Sequence, residues 1–193
     1  MNWIKTAVLI TLCCAAASAG PIIFTETQNG IGSLGGTAFN NSLVTIVLTT
    51  DTSTITGGSG VFFDIGPATV TVAGIGTATF TDTIEAVVNQ TTSIAGFNDV
   101  TANRAMLFDL NAAFSTYASN TAIGPLSGSA SGNPSLSFPT SMGAFVLSSS
   151  FNPDHAATFT ANLGSVPEPG TLGLLGAGIA LLLIRRRVHG KNA

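Results

Sequence analysis

The chain has 193 residues, of which 45% are hydrophobic and only 8% charged, the latter against about 25% in an ordinary soluble protein. That length holds one ordinary domain, and no continuous apolar run is long enough for a multi-span membrane protein. The formal charge of −3 conceals an uneven distribution: between residues 20 and 165 a single cation, Arg104, faces Glu26, Asp51, Asp64, Asp82, Glu85, Asp99, Asp109 and Asp154, a net of −7. Such a body cannot neutralise a run of phosphates, which excludes nucleic acid as a partner.

Residues 1–19 have the three parts of a secretory signal peptide. Lys5 supplies the positive region, residues 7–17 the apolar region, and Ala17-Ser18-Ala19 the small residues before a cut between Ala19 and Gly20. The apolar stretch is too short to cross about 30 Å of hydrocarbon, so cleavage is expected rather than anchoring. Cys13 and Cys14 follow Leu12 and Cys13, where a lipidation motif needs a small residue, and both leave with the signal. The mature chain then has no cysteine, and disulfides, thiolate nucleophiles and thiolate metal sites fall together.

The body from 20 to 165 reads as extracellular and mostly β. Residues 43–50 form an apolar, β-branched run. Over 69–81, Thr and Val or Ala alternate on either side of Gly74-Ile75-Gly76, a hairpin pattern. Residues 60–65, 84–89, 143–148 and 158–163 are further strand candidates, and Gly57-Gly58-Ser59-Gly60 reads as a hairpin connection. Short strands between Gly, Ser, Asn and Asp clusters predict an antiparallel sandwich over about 22–163. Met106, Leu110, Ala113, Phe114 and Tyr117 fall at helical spacing, predicting one amphipathic helix over 102–119. The Ser, Gly and Pro of 125–139 predict a surface loop.

No constellation in the body points to catalysis. His155 stands beside Asp154 without the clustered ligands a metal needs, and no nucleophile-elbow motif accompanies it. Asp82 with Glu85, or Asp99 with Asp109, would supply the two carboxylates of a glycosidase. Sugar clefts are lined with aromatics, however, and the one Trp leaves with the signal while one Tyr remains. Neither a calcium loop of the Asp-x-Asp-x-Asp-Gly kind nor a phosphate-binding glycine loop occurs. No catalytic residue, cofactor or metal is therefore expected.

The C-terminus carries the clearest signal. Pro167-Glu168-Pro169 breaks any preceding element. Residues 171–184 are then free of charge, about 21 Å as a helix at ~1.5 Å per residue. Arg185, Arg186 and Arg187 follow and hold the tail in the cytoplasm. Gly173 with Ala177 and Gly176 with Ala180 have the spacing that lets membrane helices approach closely. Motif (167–169), membrane helix (170–184) and basic tail (185–193) together resemble the PEP-CTERM sorting signal of exported proteins in exopolysaccharide-producing Gram-negative bacteria. The resemblance covers 166–187 and implies an exosortase that cuts near the motif.

The expected protein is a non-enzymatic surface or exopolysaccharide-matrix protein. Its expected partners are signal peptidase and the secretion machinery, an exosortase, the inner membrane in transit, and exopolysaccharide. The alternatives are a secreted polysaccharide hydrolase with a carboxylate pair and a plain single-pass anchored protein.

Overall fold

Within 43–50 every second side chain is large, apolar and buried, namely Val44, Ile46 and Leu48, while Thr45, Val47 and Thr49 point outward. A period of two with one covered face defines a strand packed on a core, and it recurs along most of the chain. The computed structural model describes residues 20–131, 135–148 and 156–164. It begins with a long hairpin of β1 (Pro21–Leu34) and β2 (Thr37–Asp51). There follow β3 (Thr56–Gly58), β4 (Val61–Gly66), β5 (Ala68–Val72), β6 (Gly76–Thr79), β7 (Ile84–Asn89), β8 (Ile94–Asp99) and β9 (Arg104–Leu110). A 3-10 helix (Ala112–Thr116) precedes β10 (Ile123–Ser131), β11 (Ser137–Thr140), β12 (Gly143–Leu147) and β13 (Ala156–Leu163). Strands take up 69% of the described residues.

All thirteen strands join one antiparallel sheet, in the order β3-β4-β7-β8-β9-β10-β13-β1-β2-β5-β6, with β12 on the far part of β1 and β11 on β12. The last strand, β13, thus lies in the middle, between β10 and β1. β4 and β5 are consecutive in the chain yet belong to opposite parts of this order, with only Pro67 between them. The sheet must therefore curl until β4 comes against β2, and it forms a half-barrel. At the meeting point a Cβ on Gly66 would stand 2.1 Å from the Thr49 carbonyl oxygen, so only glycine lets the strands touch. The Thr50 hydroxyl reaches across to the Ile65 carbonyl and Asp64 Oδ1, each at 2.9 Å. The inner face is the core. One aromatic group joins Phe159 to Phe24 and Phe114, at 6.1 and 5.4 Å between ring centroids. Another gathers Phe39, Phe80 and Phe138 around Phe145. Each such ring, fully covered, contributes about 2–3 kcal/mol.

The expected strands at 43–50, 60–65, 84–89, 143–148 and 158–163 match β2, β4, β7, β12 and β13, and the 69–81 hairpin is β5–β6. The Ser59-Gly60 connection joins β3 to β4. One continuous sheet stands where a two-sheet sandwich was expected. The helix expected over 102–119 is instead β9 followed by the short 3-10 helix. Met106, Leu107, Phe108 and Asp109 are consecutive and all buried, so both faces of β9 are covered and the helical spacing of Met106 and Leu110 is coincidental. The loop expected over 125–139 contains β10 and β11. In β10, Ser127, Ser129 and Ser131 face solvent while Leu126, Gly128 and Ala130 face inward, an alternation disguised by small side chains.

Candidate functional site

The outer face of the half-barrel is a lattice of hydroxyls. Ser127, Thr158, Thr27, Thr45, Thr71 and Thr77 stand directly opposite one another across β10, β13, β1, β2, β5 and β6. Two residues along, Thr160, Thr25, Thr69 and Thr79 form a second row, interrupted by Val47 on β2. Strand spacing sets these residues about 4.8 Å apart within a row and the rows about 7 Å apart. Some hydroxyls pair with each other, Thr71 with Thr77 at 2.8 Å and Ser127 with Thr158 at 3.0 Å. Each hydroxyl offers one donor and two acceptor positions, so the surface can hydrogen-bond polyols or water in register.

The acids take several positions. Asp51 is half-buried, and its Oδ1 accepts from the Ser53 hydroxyl and amide at 2.6 and 2.8 Å, which hold its carboxyl below the usual range. Asp64 is buried where β4 meets β2. Its Oδ1 accepts from Thr50 and Thr54, each at 2.9 Å, while burial, the larger effect, raises its pKa. Asp82 sits in the bend before β7, and Glu85 accepts from Asn98 at 3.2 Å. Asp99 is fully buried, accepts from Arg104 at 3.2 Å and caps the Ala102 amide at 3.0 Å. Arg104 in turn lies 5.3 Å from the Phe138 ring centroid. The paired glycosidase carboxylates do not assemble from Asp99 and Asp109. Asp109 stands opposite Ala95, four residues from Asp99 on β8, or about 14 Å along the strand, beyond the ~5–10 Å such a pair needs. Asp154 and His155 lie outside the described residues, and among the described residues no three His, Cys or acidic side chains gather as a metal site.

The fold instead brings together Glu26 and Asp109, a pair that sequence reasoning missed. Glu26 follows Ile22 and Phe24 on the inner face of β1, and both acids are 0% exposed. None of their four carboxylate oxygens has a hydrogen-bond partner. Phe159 stands opposite Glu26, and its backbone N–H faces Asp109. The Asp109 carboxylate lies over Gly128, where a Cβ would come within 2.1 Å of Oδ1, and Gly128 is paired with Ala157. Small residues thus leave the space between the two acids. Burial pushes Asp109 up to about 7, with the Phe159 N–H working the other way. Burial, and then the Asp109 charge, raise Glu26 well above the carboxylate range. The signal in the sequence was an acid in phase with Ile22 and Phe24.

The two ends of the body leave the sheet side by side. Ile22 pairs with Leu163, and the Gly164 N–H donates to the Pro21 carbonyl at 2.7 Å. Gly20, at the expected signal-peptide cut, donates to Thr52 Oγ1 at 3.2 Å and accepts from the Thr52 N–H at 3.0 Å. Ala19, the motif Pro167-Glu168-Pro169, the expected membrane helix and the arginines Arg185, Arg186 and Arg187 lie outside the described residues. Among the described residues no helix is long and apolar enough to cross a membrane. A family model described as the PEP-CTERM protein-sorting motif matches residues 165–187, beginning directly after Gly164. No match is found among curated proteins or among solved structures. The chain therefore carries a PEP-CTERM sorting motif, which implies export to the cell envelope or surface and processing by an exosortase.

Proposed function

We propose that this chain is a non-enzymatic protein of the cell surface or exopolysaccharide matrix, parked in the inner membrane by its tail and freed by a cut close to Pro169. The observation that carries the reading is the sorting motif at 165–187. It follows a strand that ends at Leu163 beside the start of β1, so the expected signal-peptide cut and the sorting motif adjoin the same end of two central strands. The uncharged hydroxyl rows support a role in contact with polysaccharide: they offer repeated hydrogen bonds at intervals close to the length of a sugar unit.

Replacing Pro167, Glu168 and Pro169 together with alanine should leave precursor in the inner membrane while the signal peptide is still removed. The mass of the extracellular protein reads both events. Normal release of that variant, or a mature extracellular protein retaining Arg185–Arg187, would put the plain single-pass anchor in its place. For the matrix role, the wild-type chain should sediment with the cell's own exopolysaccharide, and a variant with Thr27, Thr45 and Thr71 changed to valine should do so several-fold less.

A further inference from the structure

Glu26 and Asp109 place four acceptor oxygens in the interior of the half-barrel, with no side-chain donor and only the Phe159 N–H facing Asp109. Arg104, the single cation among the described residues, bonds Asp99 toward the other end of β9. The neighbouring elements supply no counter-charge: the inner positions of β13 are Ala157, Phe159 and Ala161, and those of β10 are Leu126, Gly128 and Ala130. On β2 the inward residues are Val44, Ile46 and Leu48. On β8 the nearest is Ala95, with Asp99 farther along in its ion pair. The phenol of Tyr117, beyond the 3-10 helix, donates to the Thr121 carbonyl at 2.8 Å. Asp51 and Asp64 belong to the meeting point of β2 and β4, and Asp82 and Glu85 to the start of β7.

We propose that Glu26 and Asp109 form a proton-binding site inside the half-barrel, and that loss of its protons to water in alkaline surroundings loosens the wall made by β1, β13, β10 and β9. Two carboxylates enclosed among apolar side chains repel each other and lack solvation, and a proton removes the charge and supplies the missing donor. The elevated proton affinity of both groups agrees with this geometry. The site itself goes beyond the sorting reading, and only its contact with the external medium depends on export.

The test is urea unfolding of the purified full-length chain in detergent between about pH 5 and about pH 9, with infrared detection of protonated carboxyl groups. The unfolding constant should grow with pH, by roughly tenfold per unit for each proton held only in the folded state, most steeply below about 7. A protonated-carboxyl band should be present at neutral pH. Asp109→Asn should remove about one proton from that slope, and Glu26→Gln with Asp109→Asn should flatten it and abolish the band. His155→Gln should leave the slope in place. Should the double variant fail to fold, the single variants and the wild-type band decide. A pH-independent wild type, a slope surviving in the double variant, absence of the band at neutral pH, or calcium at about pH 8 restoring the midpoint seen in acid would each overturn the proposal.

Discussion

Asp99 and Asp109 lie on adjacent strands and are equally buried at 0% exposure, yet the protein treats them differently. Around Asp99 it builds a socket from the Arg104 guanidinium and the Ala102 amide. Around Asp109 it builds none, and sets a second acid, Glu26, near it. Burial is thus common to both regions, and the difference is the presence of a cation. A buried carboxylate with a cation is an anion fixed in place, whereas one without becomes a neutral acid whose charge depends on its surroundings.

The contrast can be broken most severely at its floor. Gly128→Ala would put a methyl group 2.1 Å from both Asp109 Oδ1 and the Leu110 carbonyl oxygen. Because the carbonyl belongs to backbone that cannot swing aside, a loss of about 3 kcal/mol or more is expected in urea unfolding. Arg104→Met should cost slightly less, about 2–3 kcal/mol, since Arg104 is partly exposed but leaves Asp99 buried without a cation.

The same isosteric change then sharpens the comparison. At about pH 8, Asp109→Asn should stabilise the chain by about 2 kcal/mol, and Asp99→Asn should destabilise it by about 2 kcal/mol. The sign for Asp109 follows from its raised value of about 7. Between the unfolded carboxyl value near 4 and about 7, the folded chain holds a proton that the unfolded chain has released. Stability is therefore full in acid, falls across that window and stays low above it. In acid, near pH 5, the benefit of Asp109→Asn should vanish. The smallest effect belongs to the outer face, where Thr71→Val should shift stability by no more than about 0.5 kcal/mol, because the hydroxyl it loses bonds only Thr77 at the surface.

Strands with large apolar residues on one face and threonine on the other were legible in the sequence, as in β2 and β5. Those whose inner positions break that contrast were not. In β1 the inward series Ile22, Phe24, Glu26, Gln28 turns polar midway, which hides both the strand and the acid pair. In β10 glycine and alanine occupy inner positions, so serine and proline dominate the composition and suggest a loop. In β9 both faces are covered, which erases the period of two. The pairing of Glu26 with Asp109 was beyond reach for another reason: they are far apart in the chain, and β10 and β13 lie between their strands. The sorting motif was read directly because its recognition rests on contiguous residues.

The central position of β13 has a consequence for the order of events during export. It is the last strand before the sorting motif and the one that joins the β1–β2–β5–β6 half of the sheet to the half running from β10 to β3. Until residue 163 has emerged, β10 and β1 have no shared neighbour, and the most distant pairings in the chain, Ile22 with Leu163 among them, cannot close. If the tail halts in the membrane directly after this strand, as proposed, the keystone has time to dock before the tether is severed. Maturation would then release a finished sheet, not a chain still searching for its middle.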